Sequence, residues 1–502
     1  MNLSNLLFSF LKNNNYLIII ICILLSANNA FCKNQNSVNK DITLISKNDS
    51  LKSESLFLYI KEIIITGNKK TKNEIILREL SFNTKQNIDL KNLEKEITKS
   101  TNNLTNLNLF NFIEISYNIN EQKDLFIKIN IVERWYIWPY PIFEISERNF
   151  NSWWQDFKSS NYKDLSRVNY GLFLNIENFR GRNELIILKY RQGFKEHYLL
   201  NYKIPFFKKN QSIGLNSEIQ LFRRKKTHYQ TINNDLQYLE NKDDFTSRDF
   251  NFNLEISYRK GIKSTHNFGA EFFASIIDSQ ITILNPYYLN NNKSSGSYLK
   301  FSYNYLFENR DNANYPLRGT YLNIQLAKNL KILSPVKHFE FNSHIEGHKF
   351  FGTRFSIGSS FRSRKTFNNN QTYFAQQTFG FEDYVRGYEL YVVDGKDFWL
   401  SKSSIKYCLV QPKNFIVPYF KTDQFKKAHY AFYISLFSDL GYANDMRHYN
   451  ENSLSNSMLW GKGLSLDYVT YYNKMIRLEF TINKLGEKGV FLHFSNPFGT
   501  NK

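Results

Sequence analysis

The sequence lacks any long apolar run beyond residues 1–30, although 42% of its 502 residues are hydrophobic and its mean hydropathy is −0.47. Without such a run, no segment past the N-terminus is a candidate for a membrane-spanning helix. Cysteine is also scarce, with three residues at Cys22, Cys32 and Cys408. So few cysteines exclude a disulfide framework. The length nevertheless suffices for two or more domains.

A compact basic patch and recognisable catalytic motifs are absent as well. Lys and Arg bring the net charge to +20, but they are spread along the chain. This distribution favours solvated loops and contacts with anionic lipid over nucleic-acid binding. The sequence has no nucleophile elbow, phosphate-binding loop or metalloprotease helix. We therefore predict a protein that is not an enzyme, uses no cofactor or metal and binds no nucleic acid.

The N-terminus has the features of a secretory signal peptide, which we assign to residues 1–30. Lys12 supplies the positive charge, and Tyr16–Leu25 is an apolar core of suitable length. Cleavage after Ala27 and cleavage after Ala30 both fit. Because no other segment can form a spanning helix, a membrane form of the mature chain must be a closed β-barrel.

Residues 31–57 are polar, and we predict a flexible linker there. Cys32 directly follows the signal peptide, a position that raises the question of lipid attachment. Phe31 stands where a lipoprotein signal needs a small residue, so we expect Cys32 to be unmodified.

Residues 58–134 have the pattern of one small α+β domain with the order β-α-α-β-β. The β-branched run Ile60–Thr66 predicts a strand that ends at a glycine turn. Thr71 is a candidate cap for a helix over Asn73–Leu80. The remaining elements are a helix whose apolar face holds Ile88, Leu93, Ile97, Leu104 and Leu107, and a hairpin of Asn111–Asn118 with Leu125–Val132.

Residues 135–502 consist of segments of about ten residues in which apolar and polar side chains alternate strictly. Aromatic residues make up 17% of the whole chain, which suits a barrel whose outer face and interface girdles meet lipid. We predict a transmembrane, antiparallel β-barrel of sixteen strands with a wet lumen. The expected strand starts are Ile137, Ser166, Glu184, His197, Ser212, Ser247, Asn267, Gly296, Gly319, Lys337, Arg354, Trp399, Ala428, Gly461, Met475 and Gly489.

The lengths of the connections indicate which way the barrel faces. If the α+β domain lies in the periplasm, connections after odd strands are outside the cell and those after even strands are periplasmic. The long connections 224–246, 278–295 and 364–398 then all fall outside, as in outer-membrane barrels.

Five short segments resemble one known family: V-R-G-Y at Val385–Tyr388, F-S-D-L-G at Phe437–Gly441, I-T-G-N-K-K-T at Ile65–Thr71, I-L-R-E-L at Ile76–Leu80 and N-L-F-N-F-I-E-I at Asn108–Ile115. Together they resemble the BamA/TamA superfamily of outer-membrane protein assembly factors, which combines periplasmic POTRA units with a surface-antigen-type barrel. The strand count makes V-R-G-Y the sixth outer connection, where that family carries its loop-six motif.

The resemblance implies roles for particular residues of this connection. Val385, Arg386, Gly387 and Tyr388 would form the loop-six motif, and Asp439 would anchor the loop inside the barrel by pairing with Arg386. The alternative is an arginine in a surface turn. The family often adds a glutamate on strand twelve, but that strand carries no acid here over residues 403–409, so the second anchor stays open. The segment 310–319 resembles a structured family turn.

Two prolines in the first barrel strand predict a weak seam. Residues two apart aim their N–H groups at the same neighbour, so Pro139 and Pro141 remove two donors from one edge. We hypothesise that this edge faces the last strand, with Phe494 and Phe498, and can open to a substrate strand. The alternative is that the prolines only shape the exit from the α+β domain.

One histidine-rich strand raises the question of a metal site. His338, Glu340, His344, Glu346 and His348 share one face of strand ten. Successive residues on one face stand about 7 Å apart, so a single strand offers at most a strained pair of ligands. A polar lumen wall is the favoured interpretation.

The resemblance implies a protein of the outer membrane, with its POTRA unit in the periplasm, that inserts other barrels. Its expected partners are unfolded outer-membrane β-barrel proteins, which add a strand to the POTRA edge, together with outer-membrane lipid and accessory periplasmic or lipoprotein subunits. The alternatives are a secretion transporter of the two-partner type and a passive porin. A transporter would carry a plug helix before its POTRA units, and residues 33–56 show no such pattern.

Overall fold

The computed structural model describes residues 57–145, 150–161, 168–207, 212–241, 243–289, 292–331, 339–367, 372–416, 425, 427–446, 451–470 and 474–494. The signal peptide, nearly all of the linker, Cys32, His338 and Phe498 therefore lie outside the described residues. Within the described ranges, no helix is long and apolar enough to cross a membrane.

Residues 57–134 form an α+β unit, here called the N-terminal unit, with one four-stranded sheet and two helices. The sheet order is β2-β1-β4-β3, and β1 runs parallel to β4. Burial of one face of the longer helix, at Leu93 and Leu104, closes the core over the sheet. The elements are β1 (Phe57–Thr66), α1 (Asn73–Leu77), β2 (Asn87–Asp89), α2 (Leu90–Asn106), β3 (Phe110–Ile119) and β4 (Asp124–Glu133).

The local prediction for this unit was wrong in three details. The first helix ends at Leu77 instead of Leu80. Ile88 lies in the short strand β2, and the second helix begins only at Leu90, after Asp89 caps it by accepting from the Lys91 amide. Thr71 does not cap α1, whose N-cap is Lys72 without a side-chain bond. The Thr71 hydroxyl instead donates to the buried Glu133 carboxylate, and that buried acceptor outweighs the local preference for capping.

The second part of the chain is a sixteen-stranded antiparallel sheet, which confirms the predicted fold class. Each strand pairs with its sequence neighbour in the sheet, from β5 at one end to β22 at the other. Its strands are β5 (Ile137–Ile145), β6 (Val168–Phe179), β7 (Glu184–Gly193), β8 (Lys195–Ile204), β9 (Ile213–Arg224), β12 (Ser247–Tyr258), β13 (Ser264–Ile277), β14 (Ser295–Glu308), β15 (Gly319–Lys331), β16 (Phe339–Phe351), β17 (Phe355–Phe367), β18 (Asp397–Ile416), β19 (Lys427–Asn444), β20 (Leu459–Thr470), β21 (Lys474–Asn483) and β22 (Lys488–Phe494).

The strand positions follow the sequence pattern closely. The largest difference between a predicted and an observed start is three residues, at β13, which begins at Ser264 instead of Asn267. Apolar side chains on one face are exposed, including Leu254 and Ile256 of β12, whereas Asp249 on the opposite face is buried. This inside-out arrangement fits a sheet whose outer face meets lipid and whose inner face is polar.

The two ends of the barrel carry different connections. One end, here called the loop end, holds the hairpin of β10 (Lys226–Ile232) and β11 (Asp235–Glu240), the helices α3 (Phe150–Ser159) and α4 (Ser279–Leu284), and the connection between β17 and β18. The other, the turn end, has short connections after the even barrel strands. Several of these turns contact the N-terminal unit.

The N-terminal unit is tied to the turn end by charged and backbone contacts that the sequence did not predict. Arg259, just after β12, holds both carboxylate oxygens of Glu79 at 2.6 and 2.9 Å. The Lys72 amide donates to the Gly181 carbonyl at 3.0 Å. Asn106 contacts the turn after β14, where its side chain donates to the Arg310 carbonyl at 3.0 Å.

Candidate functional site

The connection between β17 and β18, here called loop six, folds back into the barrel. Val385 and Tyr388 are buried in an apolar cluster with residues of the barrel wall and the loop end. Val385 is completely buried. The side chains that complete this cluster are Phe379, Val393, Leu400, Ala443, Leu454 and Leu459. Apolar packing therefore holds loop six inside the barrel before any charge is considered.

The structure brings Arg386 and Asp439 together as a buried ion pair. Arg386 donates from Nε and Nη2 to the two carboxylate oxygens of Asp439 at 2.7 and 2.6 Å. Its backbone amide also donates to Asp439 at 3.3 Å. The guanidinium lies over the Phe437 ring, 3.8 Å from its centre. A two-pronged contact with stacking is the geometry that arginine forms and lysine cannot.

Glycines on the wall let the loop backbone come this close. A Cβ at Gly461 of β20 would stand 1.7 Å from the Arg386 carbonyl oxygen, and one at Gly441 would stand 2.5 Å from a Val385 methyl carbon. Gly387 has a φ of 94°, a conformation that other residues rarely adopt. The Asn483 side chain then donates to the Gly387 carbonyl at 3.0 Å. Gly441 is part of the F-S-D-L-G motif quoted from the sequence, but sequence reasoning gave neither wall glycine a role.

The second acid beside Arg386 comes from β21, because β18 carries none at this level. Arg386 Nη1 lies 3.6 Å from an oxygen of the fully buried Glu479. On the same strand, Arg477 pairs with Asp467 of β20 at 2.7 Å. The alternating pattern of β21 places Arg477 and Glu479 on the inner face, but no local signal in the sequence shows that loop six reaches them.

Loop six also contacts the last barrel strand. His493 of β22 lies 3.1 Å from Glu479 and stacks on the Tyr384 ring at 5.3 Å between centres. Glu389 of the loop lies 3.7 Å from the same imidazole. Burial, the largest effect, raises the pKa of the Glu389 carboxyl above its ordinary value, and His493 opposes that shift.

Glu389, Glu479 and His493 are the residues most suited to a metal within the described chain. One ligand atom from each lies within 4.8 Å of the others. However, Arg386 and Arg477 both approach Glu479, at 3.6 and 3.7 Å. A divalent cation would be repelled by these two guanidinium groups, so the cluster does not suit a metal. It instead joins loop six to β22 through contacts between the carboxylates and the imidazole.

The sheet ends at β5 and β22, and no ladder pairs these two strands among the described residues. The Glu177 amide donates to the Tyr136 carbonyl at 2.7 Å, so Tyr136 points its backbone groups at β6. The side to which a residue turns its backbone N–H and C=O groups alternates along a strand, and β5 pairs with β6 without a register shift. Pro139 and Pro141 therefore turn their backbone groups away from β6. Their missing N–H groups therefore belong to the other edge of β5, here called the free edge because no described strand pairs with it. Phe494 of β22 is exposed.

The histidines of β16 line the lumen beside an arginine. Glu346 lies 2.9 Å from His344 and 3.1 Å from His348. Arg310 donates to the same carboxylate at 2.8 Å. A guanidinium in this position competes directly with any cation, so this part of the strand forms a polar lumen wall.

Comparison with known proteins identifies the N-terminal unit. Residues 58–134 match the POTRA family model, described as the surface antigen variable number repeat. The chain has a POTRA domain. No curated protein sequence matches it significantly. The POTRA domain is thus the part of the chain whose family is established from sequence alone.

Solved structures of two other proteins are similar to this chain, and one of them has a TM-score above 0.5. CdiB from Escherichia coli has a TM-score of 0.51 at 10% identity, over 87% of this chain and 75% of that one. BamA from Haemophilus ducreyi lacking POTRA domains 1–3 has a TM-score of 0.45 at 11% identity, over 87% of this chain and 84% of that one. The predicted architecture, a POTRA domain followed by a barrel of this fold, is confirmed.

Proposed function

We propose that this protein assembles outer-membrane β-barrel proteins, receiving an unfolded client at the POTRA edge and inserting it through the seam between β5 and β22. The POTRA domain would face the periplasm, and residues 1–30 and 31–57 would serve as signal peptide and linker. The observation that carries the proposal is the fixed position of loop six, because Arg386, Glu389 and Tyr384 hold it against the wall next to β22. A loop fastened there can brace the last strand while the edge of β5 opens.

The edge strand of the POTRA sheet is the proposed first contact for a client. β3 pairs only with β4 within the described sheet, and its second half is exposed at Ser116 and Asn118. An exposed strand edge adds another strand through backbone hydrogen bonds, which makes the contact tolerant of sequence.

A photocrosslinking amino acid at Asn118 is therefore expected to capture an unfolded barrel protein, because the client would lie along β3. The same group at Lys95, exposed on α2 of the same domain, is the matched control. The measurement is the yield of adduct on denaturing gels. Equal yields at both positions would argue against strand addition at β3.

Replacing Pro139 and Pro141 together with threonine is expected to slow client insertion. The substitution restores two donors on the free edge of β5, which would strengthen its pairing and oppose opening. The measurement is the rate at which a model barrel folds in vesicles containing the variant.

Pro205, which follows β8 at the turn end, is the matched control because its replacement by threonine does not alter the free edge of β5. An unchanged insertion rate in the double variant, with a correctly folded barrel, would remove the seam from the mechanism. The prolines would then only shape the exit from the POTRA domain.

A secretion transporter of the same architecture is the second candidate, because one POTRA domain ahead of a sixteen-stranded barrel also suits the passage of a single partner chain. Depletion of the protein followed by proteomics of the outer membrane separates the candidates. Loss of many barrels supports the assembly factor, and loss of one secreted protein supports the transporter. Altered permeability without loss of any protein would support a porin and refute the proposal.

A further inference from the structure

The barrel lumen contains a cavity of about 270 Å³ between loop six and the turn after β14. Five cationic side chains line it against one carboxylate, that of Glu346. The cations are Arg310, Arg386, Lys402, Lys406 and Arg477. A small space lined by so many cationic groups is the first indication of an anion site.

The three arginines of the lining are already paired. Arg310 holds Glu346 at 2.8 Å, Arg386 holds Asp439 at 2.6 Å, and Arg477 holds its own aspartate on β20 at 2.7 Å. These contacts fix the guanidinium groups and use much of their charge.

Two further acids lie beside these arginines: Glu308 is 2.5 Å from Arg310, and Glu479 is 3.6 and 3.7 Å from Arg386 and Arg477. The lysines are therefore distinguished by the lack of a salt bridge, and not by an excess of charge on the wall.

Neither Lys402 nor Lys406 forms a salt bridge within the described part of the chain, although Lys406 is 7% exposed. Each ammonium group instead lies over a tyrosine ring: Lys402 is 4.0 Å from the centre of Tyr384, and Lys406 is 4.2 Å from the centre of Tyr315. Lys406 adds one weak contact to the Pro316 carbonyl at 3.4 Å. An aromatic face compensates a buried cation only partly, because removing an ion from water is more costly than such a contact is favourable.

Hydroxyl groups complete the wall around the lysines. Lys402, Ser404 and Lys406 are successive residues on the inner face of β18. Ser360 of β17 pairs directly with Lys402. The hydroxyls of Ser360 and Ser404 make no hydrogen bond to any residue of the described ranges. They offer an oxyanion neutral donors beside the two charges.

From this cavity we infer a binding site for a phosphate-class anion, held by Lys402 and Lys406 with Ser404 and Ser360. Two lysines that form no salt bridge within the described residues suit a doubly charged ligand, which a phosphate dianion or phosphate monoester supplies and a single carboxylate does not. A bound anion would join β18 to β17 beside loop six. The inference does not depend on the proposed function.

Inorganic phosphate is the first probe, added to the full-length protein in detergent. We expect phosphate to raise the unfolding temperature of the wild type, because a ligand that binds only the folded state stabilises it. Lys402→Met and Lys406→Met should each weaken phosphate binding about tenfold or more, since each removes a charge-assisted bond. Phosphorus NMR line broadening gives the affinity directly.

Lys300→Met is the matched control, because Lys300 also faces the lumen but lies 3.4 Å from the acid Glu271. It should bind phosphate as the wild type does. Heat-modifiable mobility on gels shows which variants fold, and Lys402→Arg, which keeps the charge, should retain binding if Lys402→Met does not fold. No response of the wild type to phosphate, or an equal loss in the Lys300 variant, would overturn the assignment.

Experiments in vesicles distinguish a lipid headgroup from dissolved phosphate as the source of the bound phosphate group. The protein is reconstituted in phosphatidylcholine with or without phosphatidic acid, in buffer free of phosphate. Stabilisation by phosphatidic acid that Lys402→Met and Lys406→Met abolish indicates a lipid headgroup as the ligand. Stabilisation by dissolved phosphate alone indicates the free ion, and stabilisation by neither refutes the site.

Discussion

Replacing Asp439 with alanine is expected to lower the free energy of unfolding of the barrel by about 3–5 kcal/mol, because it leaves the buried Arg386 guanidinium without its two-pronged partner. Arg386 is 6% exposed and Asp439 is fully buried. Burial by itself would lower the pKa of Arg386, but Asp439 outweighs it and raises that pKa. The arginine stays charged in the variant, because a guanidinium is not deprotonated in proteins, and it keeps only the longer contact with Glu479 at 3.6 Å. Denaturant unfolding in vesicles, followed by tryptophan fluorescence, measures the loss.

The companion variants separate the ion pair from simple damage to the barrel. Arg386→Lys keeps the charge but loses the bidentate geometry, so we expect a smaller loss of stability than for Asp439→Ala. The double variant Arg386→Met with Asp439→Leu should recover part of the loss, since neither charge is left alone.

Arg248 and Asp244 provide a matched control in an exposed position. Their side chains lie 2.5 Å apart but are 41% and 63% exposed. Arg248→Ala should leave unfolding unchanged within error. If Asp439→Ala also unfolds like the wild type, the pair does not anchor loop six. We expect client insertion to fall together with stability, because the loop would no longer brace the last strand.

Replacing Arg259 with alanine is expected to release the POTRA domain from the barrel, at a cost of roughly 2–5 kcal/mol in the docking free energy. The Glu79 side chain is 2% exposed and would retain only Arg78, at 3.1 Å. Burial, followed by the like charge of Arg259, lowers the pKa of Arg78 to about 10. Arg78 therefore stays charged at neutral pH and stays paired with Glu79, whereas the loss of Arg259 removes the bidentate contact across the interface.

Hydrogen exchange at the Lys72 amide reports this release, because that amide donates to the Gly181 carbonyl across the interface. A loss of 2 kcal/mol or more corresponds to exchange that is faster by about thirtyfold or more. Lys61→Ala is the control within the same domain, since it removes an exposed pair with Asp124 that is remote from the barrel. Equal exchange in the Arg259 and Lys61 variants would show that the interface does not depend on this contact.

These two ion pairs suggest how one POTRA domain serves the barrel. Arg259 and Glu79 hold the domain at the turn end, and Arg386 and Asp439 hold loop six near the last strand. In the proposed function, a client strand would pass from the edge of β3 to the seam between two fixed supports. Loss of either support should impair insertion without removing the other.

Much of the fold could be predicted because its signal is local. Strict alternation placed all sixteen barrel strands, and the outer face followed from the large apolar residues. One wrong prediction concerned a side chain with two possible hydrogen-bond partners. Thr71 could cap a helix or bond a buried acid, and only the position of Glu133 decided between the two. A short strand such as β2 leaves no periodic pattern to detect.

The sequence by itself determined the number of strands and, where the alternation is regular, the face of each side chain, because period-two alternation lies within a few neighbouring residues. Its resemblance to a known family supplied the pairing candidates Arg386 and Asp439. Only the tertiary structure decided that Glu479 and His493 meet loop six, that Arg259 docks Glu79, and that two lysines of β18 face a cavity without a salt bridge to any described residue. These contacts join residues far apart in the chain. Their energies depend on which charges share a space shielded from water, and no local pattern encodes that.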